Sequence, residues 1–434
     1  MNLSSARRSL SAVRQADRDT TGFCDAPRRG WNCPSSHHKR PEPSETMTAP
    51  TRAAATAFVL AAQTALAGCS MSPPPPAPSP IAAVPETRAT PLSDTVEPQA
   101  VLRAMTTIAD WQLANPSAHK PYEWQEAPFW AGLYEFALRS SSRQKYLDAI
   151  RRNGESIQWQ PGPRPLLADD HAVTQSYFLL YRLEHDRRMI EPALARFKEM
   201  LLAPFAESLE FSNDKTTREW VWCDALFMSP PALALATSTT GDGRYADLMN
   251  RLWWKTTDYL YDKEERLFYR DSRFFDQRER NGKKVFWSRG NGWVLAGLAR
   301  VLQYLPPDYA GRGRFVALFQ GMAQRIADLQ GPDGYWRASL LDPGSRPIPE
   351  TSGTGFFTYA LAWGMNEGLL GRGYEQTVRR GWSAMVRAVQ PGGRLGYVQR
   401  VGDQPGDTGP EQTETYGTGA FLLAGSELFR LAAR

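Results

Sequence analysis

The run Trp220-Val221-Trp222-Cys223-Asp224-Ala225-Leu226-Phe227-Met228-Ser229-Pro230-Pro231 sets one acid between two tryptophans and an apolar stretch. A carboxyl group so placed is shielded from water. Its charged form is disfavoured, so it holds a proton near neutral pH. Trp220 and Trp222 offer flat faces of the kind sugar rings stack on. Acid beside aromatic platform is carbohydrate chemistry; a plain buried helix start is the duller alternative.

Two further groups fit the first. The Asp169-Asp170 pair comes some 55 residues before Asp224. Acids in unlike environments divide acid and base work, whereas an Asp at a helix start also serves as a cap. The segment Phe286-Trp287-Ser288-Arg289-Gly290-Asn291-Gly292-Trp293 supplies a cation among aromatics. Arg289 is suited to grip a carboxylate through two parallel hydrogen bonds, with Trp287 or Trp293 carrying the ring. A buried ion pair between Arg289 and an Asp is the structural alternative. Trp124 joins the aromatic candidates. Acid, arginine and tryptophan together point to an acidic sugar.

These groups need a scaffold that brings them to one place. Six segments are apolar nearly all round, as buried helices are. They begin near Phe129, Asp170, Asp224, Arg289, Ser352 and Tyr416. Amphipathic segments lie between them, entered at Ser142-Arg143-Gln144-Lys145-Tyr146, Gly243-Arg244-Tyr245, Gly313-Arg314-Phe315 and Arg372-Gly373-Tyr374. Apolar residues then follow at helical spacing, as in Phe315, Leu318 and Met322. Val96–Ala114 supplies the outer helix that the last hairpin lacks. The expected fold is an all-α (α/α)6 barrel over residues 93–434, with an open helical solenoid as the alternative. In the barrel the inner helices run the same way. Asp169, Asp170, Asp224, Arg289, Trp293, Glu350 and Tyr416 then meet at one mouth, where helix N-termini favour anions. The glycines there (Gly290, Gly292, Gly353, Gly355, Gly417, Gly419) either leave room for a ligand or pack ring helices closely.

Composition narrows the class. The 434 residues include 14 Trp and 16 Tyr, which suits a broad aromatic cleft. The net charge is +5, but residues 1–46 hold eight Lys/Arg against five Asp/Glu, and Arg52 adds one more. About +1 remains beyond Cys69, so the basic balance gives no support for nucleic-acid binding. Residues 47–69 read as a lipoprotein signal peptide: Arg52, an apolar run from Ala53 to Ala67, then Leu66-Ala67-Gly68-Cys69. Cys69 is the expected lipidation site, with an ordinary secretory signal as the alternative. Residues 1–46 read as a mis-assigned start or a disordered leader, and 70–92 as a stiff proline-rich linker. Export to the periplasm or cell surface follows, with membrane contact only through the lipid. The exported part keeps only Cys223, so no internal disulfide is expected, and His119, His171 and His185 have no metal-ligand spacing. No metal and no cofactor are expected.

The segments WVWCDALFMSPP, FWSRGNGWVLAGL and SGTGFFTYALAWGMNEGLL resemble signatures of the unsaturated glucuronyl and rhamnogalacturonyl hydrolases, glycoside hydrolase families 88 and 105, the second more closely. The resemblance covers about residues 95–430. It implies an (α/α)6 barrel without metal, acting on oligosaccharides whose non-reducing end is a 4,5-unsaturated uronic acid made by a polysaccharide lyase. It further implies that an aspartic acid protonates C4 while water adds at C5; the hemiketal then opens and expels the remaining sugar. The family acid falls on Asp224, its second aspartate within Asp169-Asp170 with a lean to Asp169, and the uronate-contacting pair on Arg289 and Trp293. Rhamnogalacturonyl members carry a histidine after the Leu267-Phe268-Tyr269 stretch. Here Arg270-Asp271-Ser272-Arg273-Phe274 follows, and Arg270 is a further candidate cation. A conventional glycosidase or sugar epimerase on the same barrel, or a non-catalytic sugar-binding lipoprotein, are the competing functions.

Overall fold

The computed structural model describes residues 91–433. The leader, the signal with Cys69, and the spacer up to residue 90 lie outside the described residues, and those expectations rest on sequence alone.

In chain order the α-helices are α1 (Pro98–Ala114), α2 (Ala127–Ala137), α3 (Arg143–Ser156), α4 (Thr174–Glu184), α5 (Glu191–Leu202), α6 (Ala225–Met228), α7 (Pro230–Thr240) and α8 (Gly243–Leu260). They continue with α9 (Ser288–Tyr304), α10 (Arg312–Asp328), α11 (Thr351–Asn366), α12 (Glu375–Arg387) and α13 (Thr415–Ala432). Burial sorts them into two rings. Every residue of α2 and α11 is buried, while α8 and α12 bury one face only. The helices α2, α4, α6–α7, α9, α11 and α13 each pack on the next, and α13 packs back on α2. That closure makes the six-hairpin barrel and excludes the open solenoid. The helix from Pro98 packs on α13 and completes the outer ring, as the sequence pattern requires.

Close packing explains the glycines. A Cβ on Gly419 would stand 2.3 Å from the Pro128 carbonyl, and one on Gly353 2.2 Å from Ser288 Oγ. The other mouth glycines also meet protein atoms at 2.6–3.2 Å. Of the two readings, close packing holds: neighbouring protein atoms fill the space.

Two local features position the chemistry. Pro230 and Pro231 cannot continue an incoming helix, so the third inner helix breaks at Ser229 into α6 and α7. This keeps Asp224 at the start of a single short turn. Next, β1 (Tyr261–Asp262) and β2 (Leu267–Phe268) form a small antiparallel hairpin after α8. Asn291 of α9 clamps it: its Oδ1 accepts from Phe268 N at 2.7 Å and its Nδ2 donates to Phe268 O at 3.0 Å. Arg270 leaves that hairpin at the mouth, and its carbonyl accepts from Cys223 N at 2.8 Å.

Candidate active site

Asp224 and Asp169 share one pocket with Trp124, Trp222, Met228, Arg270, Val401, Gly402 and Asp403. Its volume is about 260 Å³. Pockets for drug-sized ligands start near about 300 Å³, so this space suits a single sugar ring. Asp224 is 7% exposed, and its side chain caps no helix N–H. Its Oδ2 accepts from the Cys223 thiol at 3.5 Å. Burial raises its proton affinity above the usual carboxylate value, while Arg270 and Arg289 pull the other way. Asp169 is pushed up to about 7, first by burial and next by the charge of Asp224. Its carboxyl has no hydrogen-bond partner among the described residues.

Asp170, the other member of the expected acid pair, does not line this pocket. Arg164 holds both its oxygens, with Nε on Oδ2 at 3.0 Å and Nη2 on Oδ1 at 2.7 Å, and Arg164 N adds a bond of 2.6 Å. Adjacent residues in a tight turn (Ala168–His171) point in different directions. One faces the pocket and the other ties down the loop before it.

The cation at the pocket is Arg270. Its Nε lies 3.4 Å from Asp224 Oδ2, and its Nη1 donates to Asp271 Oδ2 at 2.8 Å. Asp271 is fully buried and carries a second arginine. Arg273 donates to it from Nε and Nη2, both at 2.8 Å, and reaches Asp403 from Nη2 at 2.8 Å. The Arg273 guanidinium also lies 3.9 Å above the Phe211 ring.

Arg289 does different work from the carboxylate grip expected of it. It is fully buried between the rings of Trp287 and Tyr416, at 4.3 and 4.9 Å. Its Nη1 donates to the Gln399 carbonyl at 2.7 Å, and its Nη2 to those of Arg400 at 3.0 Å and Gly402 at 3.5 Å. The guanidinium thus fastens the segment 399–403, which forms one wall of the pocket. Trp287 Nε1 and Tyr416 Oη bind Gln399 as well, and Glu350 accepts from Gln399 N. A buried cation bonded to three backbone carbonyls braces the segment that carries them, while its Nε keeps no hydrogen-bond partner among the described residues.

The tryptophans divide in the same way. Trp124 and Trp222 line the pocket. Trp220, Trp287 and Trp293 are fully buried and line none of it. Trp293 packs on Phe356, Phe227 and the edge of Trp124, so it supports the floor and offers no face to a sugar. Tyr416 stacks flat on Trp124 at 5.5 Å and backs its ring. Sequence reasoning gave no role to Asp271 and Arg273 in the 270–274 stretch and missed Phe211 and the segment 401–403. These sit in polar loops without periodicity, and only the fold brings them together.

A larger cavity of about 920 Å³ opens beside the C-terminal ends of α7 and α9. Most of its charged groups are occupied: Arg182 donates to Ser238 Oγ, Arg312 binds the carbonyls of Leu302 and Leu305, and Glu367 pairs with Arg430. It lacks a pair of neighbouring acids, so size does not select it. Among the described residues no His, Cys, Asp and Glu cluster has the arrangement of a metal site. His171 is buried between Ser229 Oγ and the Pro165 carbonyl, each at 2.9 Å, and burial lowers it to about 4. No histidine lines the pocket.

Comparison with known proteins bears on this arrangement. The model of Glycosyl Hydrolase Family 88 matches residues 99–432. The chain is 42% identical over 341 residues to an unsaturated 3S-rhamnoglycuronyl hydrolase of Formosa agariphila, covering 75% of this chain and 90% of that protein. It is 36% identical over 350 residues to a protein of the same name from an Alteromonas species, covering 74% and 84%. Among solved structures, a glycosyl hydrolase family 88 protein from Bacteroides vulgatus superposes with a TM-score of 0.69 at 30% identity, covering 77% of this chain and 99% of that one. A protein named as a polysaccharide lyase superposes equally well, with a TM-score of 0.70 at 30% identity over 77% and 98%.

Proposed function

The chain belongs to glycoside hydrolase family 88, and on that premise we propose that it removes a 4,5-unsaturated uronic acid from the non-reducing end of lyase-generated oligosaccharides. The names of its relatives make a 3-sulfated rhamnose the proposed partner sugar. The observation that carries the reading is the placement of Asp169, Asp224 and Arg270 in one pocket the size of a single ring.

The chemistry follows from the charges. Asp169 keeps a proton up to about pH 7, and Arg270 leans on Asp224. An incoming uronate carboxylate competes for Arg270, whose Nε has no hydrogen-bond partner among the described residues. Asp224 then loses part of its Coulombic relief and takes up a proton from the pair. It delivers that proton to C4 of the enol ether. Positive charge develops at C5 and is shared with the ring oxygen. The ionised Asp169 takes a proton from the water that attacks C5, which restores the starting state. The C5 hemiketal opens, and the hemiacetal left at C1 releases the second sugar. Trp124 and Trp222 supply the apolar walls.

Lyases make such double bonds by removing a proton beside a uronate. A conventional glycosidase instead attacks the anomeric carbon. An epimerase reading has no pocket histidine to rest on. The test is turnover of the purified protein on lyase digests of ulvan, pectin, glycosaminoglycans and gellan. Loss of the ultraviolet absorbance of the double bond, with release of a 4-deoxy-5-keto-uronate, is the expected result. Turnover of saturated but not unsaturated disaccharides would point to a conventional glycosidase. Tight binding without product would support a non-catalytic sugar-binding protein. Export and a lipid at Cys69 are part of the same proposal and rest on the 47–69 pattern alone.

A further inference from the structure

Asp271 carries two arginines that face different places. Arg270, 15% exposed at its side chain, looks into the pocket beside Asp224; Arg273, 42% exposed, reaches the pocket through its bond to the lining residue Asp403. The guanidinium of Arg273 is held from three sides. Asp271 takes one edge through Nε and Nη2, Asp403 takes the other hydrogen of Nη2, and Phe211 lies under its face. Its remaining amino group, Nη1, has no partner among the described residues. A cation fixed so firmly, with one donor group open, is preorganised for an anion.

The pocket admits one ring, so the sugar linked to that ring leaves over the rim. Asp403 forms part of the wall there and is the residue Arg273 holds. Left unpaired, that carboxylate would repel an anionic second sugar. Paired with Arg273, it leaves the rim with an open cationic donor. We propose that Arg273 is a specificity-determining residue for the second sugar, and that its Nη1 binds a sulfate ester there while Arg270 takes the uronate carboxylate. Two arginines on one buried carboxylate thus read two negative charges on consecutive sugars. This inference rests on the function proposed above. It adds the residue that selects a sulfated second sugar over an uncharged one.

The experiment compares an unsaturated uronyl disaccharide whose second sugar is sulfated with the same disaccharide after desulfation. The readout is the ratio of kcat/KM for the two. Wild-type protein should favour the sulfated substrate by on the order of tenfold or more. Arg273→Met should bring the ratio close to one, and Arg273→Lys should keep part of it. Asp403→Asn, which leaves Asp271 untouched, should raise the ratio severalfold. Arg400→Ala, the neighbouring exposed cation, should leave it unchanged. Equal losses on both substrates in Arg273→Met would mean a structural role and would overturn the proposal. So would a ratio that follows Arg400, or a wild-type ratio near one. The same ratio is read as Kd by calorimetry on full-length Asp224→Asn protein. A sulfate preference in Kd that Arg273→Met removes supports the rim site even where turnover fails. Absence of turnover by wild type with that preference intact counts against the reaction alone.

Discussion

Arg270 Nε stands 3.4 Å from Asp224 Oδ2, and neither atom is engaged by a shorter ion pair. The contact is loose enough for a second carboxylate to intervene. Arg270→Met should lower kcat/KM on an unsaturated disaccharide by on the order of a hundredfold. Arg270 also lowers the proton affinity of both Asp169 and Asp224. Its loss should move the falling limb of the pH–rate profile to higher pH. A lower rate with an unmoved limb would make Arg270 a binding group without electrostatic reach to the acids.

Asp169 sets the expected pH dependence. With its carboxyl at about 7, kcat/KM should fall tenfold per unit above that pH, as the pair loses its proton. The sign for stability is the same. Between the usual 3.8 and about 7 the folded state binds more protons than the unfolded chain, so stability declines as pH rises through that window. Asp169→Asn removes this decline. Its melting temperature should exceed that of the wild type at pH 8 and approach it at pH 4, while activity is lost. Equal melting curves at both pH values would refute the burial argument.

The pocket acid and the loop-bracing acid should separate cleanly. Asp224→Asn should abolish release of the keto-uronate without lowering the melting temperature. Asp170→Asn breaks the Arg164 fork and should cost about 2 kcal/mol in thermal or denaturant unfolding while retaining turnover. Inactivation by Asp170→Asn in a fully folded protein would return Asp170 to the catalytic set.

Arg289→Lys keeps the charge but not the fork. Two carbonyls of the segment 399–402 lose bonds of 2.7 and 3.0 Å, and about 3 kcal/mol of stability should go with them. Limited proteolysis should then cut first between residues 399 and 412. A variant that is as stable and protease-resistant as the wild type, with only KM raised, would restore Arg289 to direct carboxylate binding.

The barrel was legible because burial and helical period act along the chain. The six apolar segments, the amphipathic starts at Arg143 and Gly243, and the missing outer helix at Pro98–Ala114 all fall where the pattern puts them. Asp224 was legible because its neighbours in sequence are its neighbours in space. Arg289 was not, since its partners lie 110 residues and more downstream in a loop. Nothing in Gln399, Arg400 or Gly402 marks them as acceptors, because every backbone carbonyl looks alike in a sequence. Trp293 shows the same limit from the other side: aromatic type marks both a platform and a floor, and only packing tells which. The resemblance to families 88 and 105 came from three short segments whose residues now divide between chemistry and support, while the family 88 model matches the whole span 99–432.

Tyr416, which backs the Trp124 ring, sits in the helix that shuts the circle against α2. A chain without α13 therefore has no finished wall beside its carboxyls. Catalytic competence waits on that last inner helix, and a stop codon before residue 415 erases the site together with the toroid that shapes it.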